Sequence, residues 1–228
     1  MIRPATEQDL PDILSIYGPY IENSTATFEY EVPSLQTFTQ RFLEITRQYP
    51  WLVWEEDGKI LGYAYASAPY SRAAYAWCAE PSIYLCPEAQ GRGIGKKLYA
   101  VLEAILEKQG YQILYTLITE ENTGSIAFHR KMAYEIRAEF PNCGYKFNRW
   151  LGLIWMEKRI KIVHSPSAFP TPWSSIVQDA KSFSNILDNL SIPYLQEMLY
   201  VMNVEKCVPL RPFQGAVLLA SINFYKEL

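Results

Sequence analysis

A short segment near the middle of the chain constrains the fold most, because an apolar run leads through three glycines into a helical pattern. Residues 75–86 have the composition of a β-strand, and Gly91, Gly93 and Gly95 follow at alternate positions. Apolar residues then recur at helical spacing from 98 to 106. Glycines let a backbone approach an anion closely, and the first N–H groups of a helix supply positive potential. The segment therefore predicts a phosphate-binding turn between a strand and a helix.

Two common phosphate-binding motifs do not fit this spacing. A P-loop needs four residues between its glycines and a Ser or Thr after its Lys, whereas three residues separate Gly91 from Gly95 and Lys97 follows Lys96. A dinucleotide-binding fingerprint fails by one place, because Lys96 stands where its third glycine belongs. The pattern Q/R-x-x-G-x-G/A does fit, beginning at Gln90.

Residues 90–95 resemble the pyrophosphate-binding loop of the GCN5-related N-acetyltransferase (GNAT) superfamily. Residues 121–134 resemble the Asn-capped helix with which that family flanks the pantetheine arm of its coenzyme, although Ala133 stands where the family usually has glycine. Within the superfamily, the chain is similar to the phosphinothricin N-acetyltransferase group. The stretches that carry this likeness are residues 2–6, 23–29, 74–80, 144–147 and 155–159.

The hydrophobic pattern predicts a mixed α/β architecture in the order β-α-α-β-β-β-α-β-α-β-β. Helices are predicted from residue 7, after Pro33-Ser34, over 91–109 and over 122–132, and strands over 51–55, 60–66, 75–86, 112–119, 134–138 and 145–159. The resemblance implies the GNAT-type acyl-CoA N-acyltransferase fold, a mixed sheet whose strands part around acetyl-CoA.

Proline clustering divides the chain. Pro166, Pro170 and Pro172 form a linker signature, so an N-acetyltransferase domain is predicted over residues 1–163 and a helical extension over 164–228. Helices are predicted in the extension over residues 174–190, 194–204 and 214–228. Packing against the domain or a partner subunit, and a separate binding module, are both left open, as is a homodimer.

Composition limits the partners and the cofactors. A formal net charge of −3 argues against binding of nucleic acid or an anionic membrane through the whole surface. The four cysteines are scattered and only two histidines are present, which predicts free thiols and no metal site. We see no apolar leader and no run long enough for a membrane helix, so a cytoplasmic location is expected.

The two candidate catalytic residues come from the resemblance and from the needs of amine acylation. An amine that attacks a thioester must lose a proton, and Glu80 matches the carboxylate that the resembling group uses as general base. His129 stands where many superfamily members carry a tyrosine acid, and a histidine could protonate the leaving thiolate. A salt-bridged strand glutamate and a solvent-facing helix histidine are the structural alternatives.

The remaining site residues also follow from the resemblance. The predicted coenzyme-binding residues are Ile83, Tyr84, Leu85, Gln90, Gly91, Arg92, Gly93, Ile94, Gly95, Lys96 and Asn122, the first three through main-chain N–H groups. Phe28, Arg72 and Tyr75 match substrate-pocket positions, and Arg72 could hold a carboxylate or phosphinate with its bidentate fork. Two departures, Tyr70 in place of a usual lysine and Phe147 in place of a histidine in some members, point to a less anionic, or simply a different, amine substrate.

Together these observations predict an acetyl-CoA-dependent N-acetyltransferase that acts on the primary amine of a small amino-acid-like molecule. Acetylation of a protein N-terminus or lysine is an alternative, which would require an open, peptide-wide groove. A non-catalytic acyl-CoA sensor is a second alternative, which the presence of Glu80 and His129 disfavours.

Overall fold

A computed structural model describes residues 1–161, 168–177 and 180–188 of the chain. Seven strands form one mixed sheet in the order β1-β2-β3-β4-β5-β7-β6. The strands are β1 (Ile2–Pro4), β2 (Trp51–Glu56), β3 (Lys59–Ser67), β4 (Cys78–Leu85), β5 (Ile113–Thr119), β6 (Glu135–Lys146) and β7 (Arg149–Arg159). The helices of the described residues are α1 (Leu10–Asn23), α2 (Leu35–Gln48), α3 (Ile94–Gln109), α4 (Thr123–Lys131), α5 (Trp173–Ile176) and α6 (Ala180–Asp188). The predicted fold class and order of elements are confirmed.

Several element boundaries differ from the predicted ones for local reasons. The helix predicted from residue 91 begins at Ile94, because Gly91 and Gly93 have φ angles of 74° and 77° and cannot continue a right-handed helix. The strand predicted from residue 75 begins at Cys78, because residues 73–75 form a 3₁₀ turn.

The two closing strands are joined in one long hairpin, β6–β7, rather than separated by a loop. Its turn is Phe147-Asn148, and both residues adopt left-handed φ angles, 52° and 57°. Such a turn is usually marked by Asn-Gly or Asp-Gly, so this dipeptide gave no hairpin signal.

The first half of the sheet is held by an aromatic core that α1 and α2 cover. Trp51 of β2 lies within ring contact of Phe38 and Phe42 from α2 and stacks on Tyr63 and Tyr65 of β3, with centroids 5.8 and 4.2 Å away. Fully buried apolar side chains of α1 complete this core (Leu10, Ile13 and Ile21). The packing fixes β3, and through it β4, on which the candidate site depends.

The sheet opens in its middle, between β4 and β5. These two strands run parallel and pair only at Cys78↔Ile113 and Ala79↔Leu114 within the described residues. Antiparallel pairing continues on the outer sides, from β4 to β3 as far as Leu85 and from β5 to β7 as far as Thr119. The main chain of β4 beyond Ala79 therefore has no strand partner on its β5 side among these residues.

The described part of the C-terminal extension packs on the domain and belongs to the same compact unit as the sheet. Trp173, Phe183 and Ile186 are buried. The helix predicted over residues 174–190 is described as α5 and α6, with an extended Val177 after α5. Compact packing thus continues beyond the predicted boundary at residues 163/164, and the predicted helices over 194–204 and 214–228 lie outside the described residues.

Candidate active site

A cleft of about 630 Å³ opens where β4 and β5 part. The predicted residues in its wall are Glu80, Ile83, Tyr84, Leu85, Gln90, Gly91, Gly93, Gly95, Lys96, Asn122 and His129. The predicted residues outside its wall are Phe28, Arg72, Tyr75, Arg92 and Ile94. The structure therefore brings most of the predicted coenzyme residues and both predicted catalytic residues together, and leaves the predicted substrate residues apart from them.

The glycine turn forms one end of the cleft. Gly93 is the N-cap of α3 in a left-handed conformation, and a Cβ built on it would meet no atom within 4 Å. The backbone angle, together with open space in front of it, is what glycine provides here. Lys97 N–H donates to the Gly93 carbonyl, whereas the N–H groups of residues 94–96 precede the first intrahelical acceptors. This helix end therefore offers backbone donors and positive potential to an anion in the cleft.

A close approach of α3 to β4 explains the third glycine. A Cβ at Gly95 would lie 3.3 Å from a Leu85 methyl and 3.4 Å from an Ile83 methyl, tighter than ordinary contact. A side chain at this position would require the Leu85 and Ile83 side chains to shift by a few tenths of an ångström. Gly95 thus keeps the helix N-terminus beside the open edge of β4.

Charges near the turn are divided between the cleft and the outer surface. Arg92 forms a 2.7 Å ion pair with Glu56 on the exposed side, and the Lys97 ammonium lies 5.6 Å from the centre of the Trp54 ring. Lys96 lines the cleft, whereas Ile94 is buried against the core. Positive potential at this end of the cleft therefore comes from the helix N-terminus and Lys96, and Lys131 of α4 adds a further positive charge to the cleft wall.

The second wall begins at the N-terminus of α4. The Asn122 side-chain oxygen accepts a hydrogen bond from Ser125 N–H over 3.1 Å, so Asn122 caps the helix while it lines the cleft. At the other end of this helix, Ala133 has a φ of 66°. This left-handed conformation is the physical reason for the family's usual glycine at that position, and Ala adopts it at a cost of about 1–2 kcal/mol.

Glu80 lies on β4 at the point where that strand leaves β5. It pairs across the β3–β4 ladder with Ser67 and lines the cleft. Burial raises the pKa of the Glu80 carboxyl, because desolvation disfavours its charged form. A carboxylate with a raised pKa, in the wall of a cleft, is a better proton acceptor than an exposed glutamate.

His129 is buried inside the protein rather than facing solvent. Its Nε2 lies 2.9 Å from the Tyr99 hydroxyl and its Nδ1 lies 2.8 Å from the Ser125 carbonyl oxygen. Since a carbonyl can only accept, Nδ1 carries the proton and Nε2 accepts from Tyr99. Desolvation lowers the pKa of His129 to about 4, so the ring is neutral near pH 7. Both nitrogens are thus engaged, Nδ1 within α4 and Nε2 in a bond that ties α4 to α3, which argues against the predicted role as an acid.

The predicted substrate residues lie on two other segments. Arg72 and Tyr75 are exposed on the loop of residues 68–77, and the Tyr75 ring packs 4.4 Å from Tyr70. Phe28 packs closely against Gly144 of β6, where even a Cβ would clash with its ring. Buried Lys146 fixes the segment before Phe28 by donating to the carbonyls of residues 24 and 27, at 2.9 and 2.7 Å.

Sequence reasoning missed several residues of the cleft wall, among them Tyr20 and Thr116. The Tyr20 hydroxyl donates to the Leu85 carbonyl over 2.7 Å and accepts from the Gln90 amide at 3.4 Å, so α1 braces the turn. Thr116 of β5 is 3% exposed, and its hydroxyl has no hydrogen-bond partner in the described protein. Neither residue belongs to a local motif, and only the folded structure brings them into the cleft wall.

Over residues 1–161, 168–177 and 180–188, no group of three or more His, Cys, Asp or Glu side chains is arranged to hold a metal ion. In the same ranges, no helix has the length and the apolar character needed to cross a membrane.

Comparison with known proteins identifies relatives over most of the domain. The family model described as an acetyltransferase (GNAT) domain matches residues 2–155. A phosphinothricin N-acetyltransferase of Streptomyces viridochromogenes is 34% identical over 149 residues, which cover 65% of this chain and 81% of that protein. An L-methionine sulfoximine/L-methionine sulfone acetyltransferase of Pseudomonas paraeruginosa is 34% identical over 161 residues, covering 68% of this chain and 92% of that protein.

A solved structure gives the same result. A GNAT superfamily phosphinothricin acetyltransferase from Sinorhizobium meliloti, solved in complex with acetyl-CoA, superposes with a TM-score of 0.69 at 36% identity. The match covers 75% of this chain and 92% of that chain.

Proposed function

The chain belongs to the GNAT acetyltransferase family and is an N-acetyltransferase, and on that premise we propose that it acetylates the primary amine of a small amino-acid-like molecule of the phosphinothricin or methionine sulfoximine type. The names of the relatives support this substrate class. The observation that carries the proposal is the opening of β4 from β5 beyond Ala79, with Glu80 in one wall and the glycine turn at its end.

Acetyl-CoA is the acetyl donor in this proposal. Its pyrophosphate binds the N–H groups at the start of α3 beside Lys96, because a helix N-terminus that presents free donors favours a dianionic group. Its pantetheine arm runs between β4 and α4, past Asn122. The main chain of residues 83–85, which pairs with β3 but has no described strand partner on its β5 side, then faces the thioester, and its outward N–H groups stabilise the oxyanion.

The chemical step is direct transfer. The amine nitrogen attacks the thioester carbon, the C–S bond breaks, and CoA leaves as a thiolate that takes a proton from solvent. Glu80 accepts the proton that the nitrogen gives up, and the buried position of its carboxyl favours this task. Neutral His129 acts as a positioning residue, holding Tyr99 of α3 against the back of β4, where the Tyr99 hydroxyl also lies 3.2 Å from the Pro81 carbonyl.

Acceptor binding is assigned to the side of Glu80 that the 68–77 loop covers. Ser67 and Glu80 are paired residues, so this loop leaves and re-enters the sheet beside the base. Arg72 of the loop is exposed and can fork onto the acceptor's acidic group.

A panel assay tests this function. Release of free CoA is measured with phosphinothricin, methionine sulfoximine, the common amino acids, polyamines and short peptides, in wild-type protein and in Glu80→Gln. We expect the highest kcat/KM for an amino-acid-like acceptor. A peptide as the best acceptor would favour the protein acetylation alternative, and binding of acetyl-CoA without turnover of any amine would favour a sensor.

A further inference from the structure

The matched family region ends at residue 155, yet a segment beyond it contacts the loop next to the base. We propose that residues 168–171 of the C-terminal extension position the loop of residues 68–77 through Trp77, and thereby set the affinity for the acceptor amine. This proposal rests on the acetyltransferase function and adds a specificity-determining contact from outside the family domain.

Trp77 lies where a contact from the extension can act on the loop. It is the last residue of the loop and directly precedes β4, on which Glu80 lies three residues further along. Its carbonyl oxygen accepts from Gln112 N–H over 2.9 Å, so its backbone is fixed where β5 begins. The strand side of Trp77 is thus held by this hydrogen bond, and we expect its side chain to act on the loop side of the chain.

Two contacts join Trp77 to the extension. The indole N–H donates to the carbonyl oxygen of Ala168 over 3.0 Å. The Phe169 ring stacks on the indole, with ring centroids 5.1 Å apart and planes 15° from parallel. A hydrogen bond and a stacked ring fix both the direction and the plane of the indole.

The extension is itself firmly anchored at its next two residues. The Gln109 side chain donates to the Thr171 carbonyl over 2.8 Å, and Thr171 N–H donates to the Gln109 carbonyl over 2.8 Å. Gln109 is 2% exposed and Pro170 is buried, whereas Thr171 is exposed, so these bonds hold the extension from the buried side of the segment. Phe169 thus extends from a rigid base onto Trp77.

At its other end, the loop is supported from within the family domain. Tyr70 packs 4.4 Å from Tyr75 and 6.1 Å from Trp155 of β7, measured between ring centroids. The loop that carries Arg72 therefore has one support on the sheet and one on the extension. Phe169 is 66% exposed, so its contact with Trp77 affects the loop without filling the core.

The test compares Phe169→Ala with Phe169→Tyr and with Ser174→Ala in the full-length protein. Ser174 is a matched control, because its hydroxyl ties the extension to the Arg47 carbonyl, away from Trp77. We expect Phe169→Ala to raise the acceptor KM about 3- to 10-fold, the range that corresponds to loss of a stacked aromatic pair. Its kcat and acetyl-CoA affinity should change less than about twofold, by the same reasoning, since neither depends on this ring. Phe169→Tyr should restore the wild-type KM, and Ser174→Ala should leave it unchanged.

A second measurement separates this proposal from the proposed function. Amide hydrogen exchange in residues 68–77 reports loop positioning without any acceptor, and we expect faster exchange in Phe169→Ala than in Ser174→Ala. Wild-type protein that acetylates no amine would contradict the proposed function and leave the exchange result to decide whether the extension holds the loop. Unchanged exchange in Phe169→Ala, or unchanged acceptor KM in an active enzyme, would overturn the proposal.

Discussion

The coenzyme end and the acceptor end of the proposed site are built from different materials. The proposed coenzyme end is formed mainly by backbone groups. These are two left-handed glycines, a helix N-terminus and the β5-facing edge of β4, which has no strand partner beyond Ala79 among the described residues. On the proposed acceptor side, next to Glu80 but outside the cleft wall, exposed side chains such as Arg72 and Tyr75 lie on a loop whose supports are aromatic contacts. Backbone geometry tolerates few sequences, whereas a surface loop tolerates many. The difference explains why the coenzyme is easier to infer from this chain than the amine.

Glu80 lies between the proposed coenzyme and acceptor sides, and its replacement should have the largest effect on catalysis. Glu80→Gln keeps size and hydrogen-bonding capacity but removes basicity, so we expect kcat to fall on the order of 100-fold or more near neutral pH. Affinity for acetyl-CoA and acceptor should barely change, because each is held elsewhere. Steady-state kinetics with calorimetry separates these quantities.

The pH dependence sharpens the same prediction. Burial raises the pKa of Glu80, so the acid limb of the wild-type profile should lie above the range of an ordinary glutamate and should be absent in Glu80→Gln. The loss of kcat in Glu80→Gln should become smaller at high pH, because more of the amine is already neutral there. A raised folded-state pKa also means that stability is lost as the pH rises through it, so Glu80→Gln should melt no lower than wild type at pH 7. If Glu80→Gln turned over as fast as the wild type at every pH, Glu80 would not be the base and its role would be structural.

Gly93→Val should weaken acetyl-CoA binding without affecting the acceptor side. A β-branched residue at a φ of 77° is strained, and its side chain would enter the space in front of the helix N-terminus. We expect acetyl-CoA affinity to fall roughly 10- to 100-fold, as strain of this kind implies. Gly58→Val is the matched control, since Gly58 also has a positive φ of 75° and open space but lies in the β2–β3 turn. Equal losses of affinity in both variants would show that general destabilisation, not the site, is responsible.

Arg72→Ala should weaken acceptor binding without affecting acetyl-CoA binding. If Arg72 forks onto the acceptor's acidic group, its loss should raise the acceptor KM about 10-fold, the effect of one charge-assisted hydrogen bond. Acetyl-CoA affinity should stay unchanged, and Arg72→Lys should recover the KM only in part. Arg47→Ala, an exposed arginine on α2, serves as the control. An unchanged KM with every acidic acceptor would remove Arg72 from the site.

The same contrast separates what the sequence predicted from what it could not. Element order, the glycine turn and the Asn122 cap were predictable because each depends on a short run of residues. Tyr20 and Thr116 were not predictable, because their places in the cleft wall depend on how α1 packs on the sheet and on where β5 lies in it. His129 was placed in the cleft but given an exposed helix position as the alternative, since periodicity over nine helical residues did not reveal its bonds to Tyr99 and Ser125. The packing of Trp173 and Phe183 on the domain likewise arises from contacts distant in sequence.

Thr116→Val tests whether an unpredicted residue binds ligand in the cleft. Val has nearly the same shape, and removal of a buried hydroxyl without a partner should leave melting temperature equal or higher. If the hydroxyl pairs with bound acetyl-CoA, the variant should lose about 3- to 10-fold in affinity or kcat, the value of one hydrogen bond. Thr116→Ser should retain activity. A Val variant that is more stable and fully active would show that the hydroxyl has no ligand role.

Arg92→Ala should have the smallest effect, although the motif alone assigns this arginine to the coenzyme. The side chain pairs with Glu56 on the exposed side of the turn, and exposed pairs of this kind contribute about 0–1 kcal/mol. We therefore expect acetyl-CoA affinity to change less than about threefold and melting temperature hardly at all, as so weak a pair implies. Lys96→Ala is the informative comparison, because Lys96 lines the cleft and should weaken binding more strongly, especially at low salt. Calorimetry at two salt concentrations measures both variants. A larger and more salt-dependent loss in Arg92→Ala than in Lys96→Ala would mean that Arg92 leaves Glu56 for the pyrophosphate when the coenzyme binds. The coenzyme end would then depend on a mobile side chain as the acceptor end does, and the contrast between them would be weaker than the backbone geometry indicates.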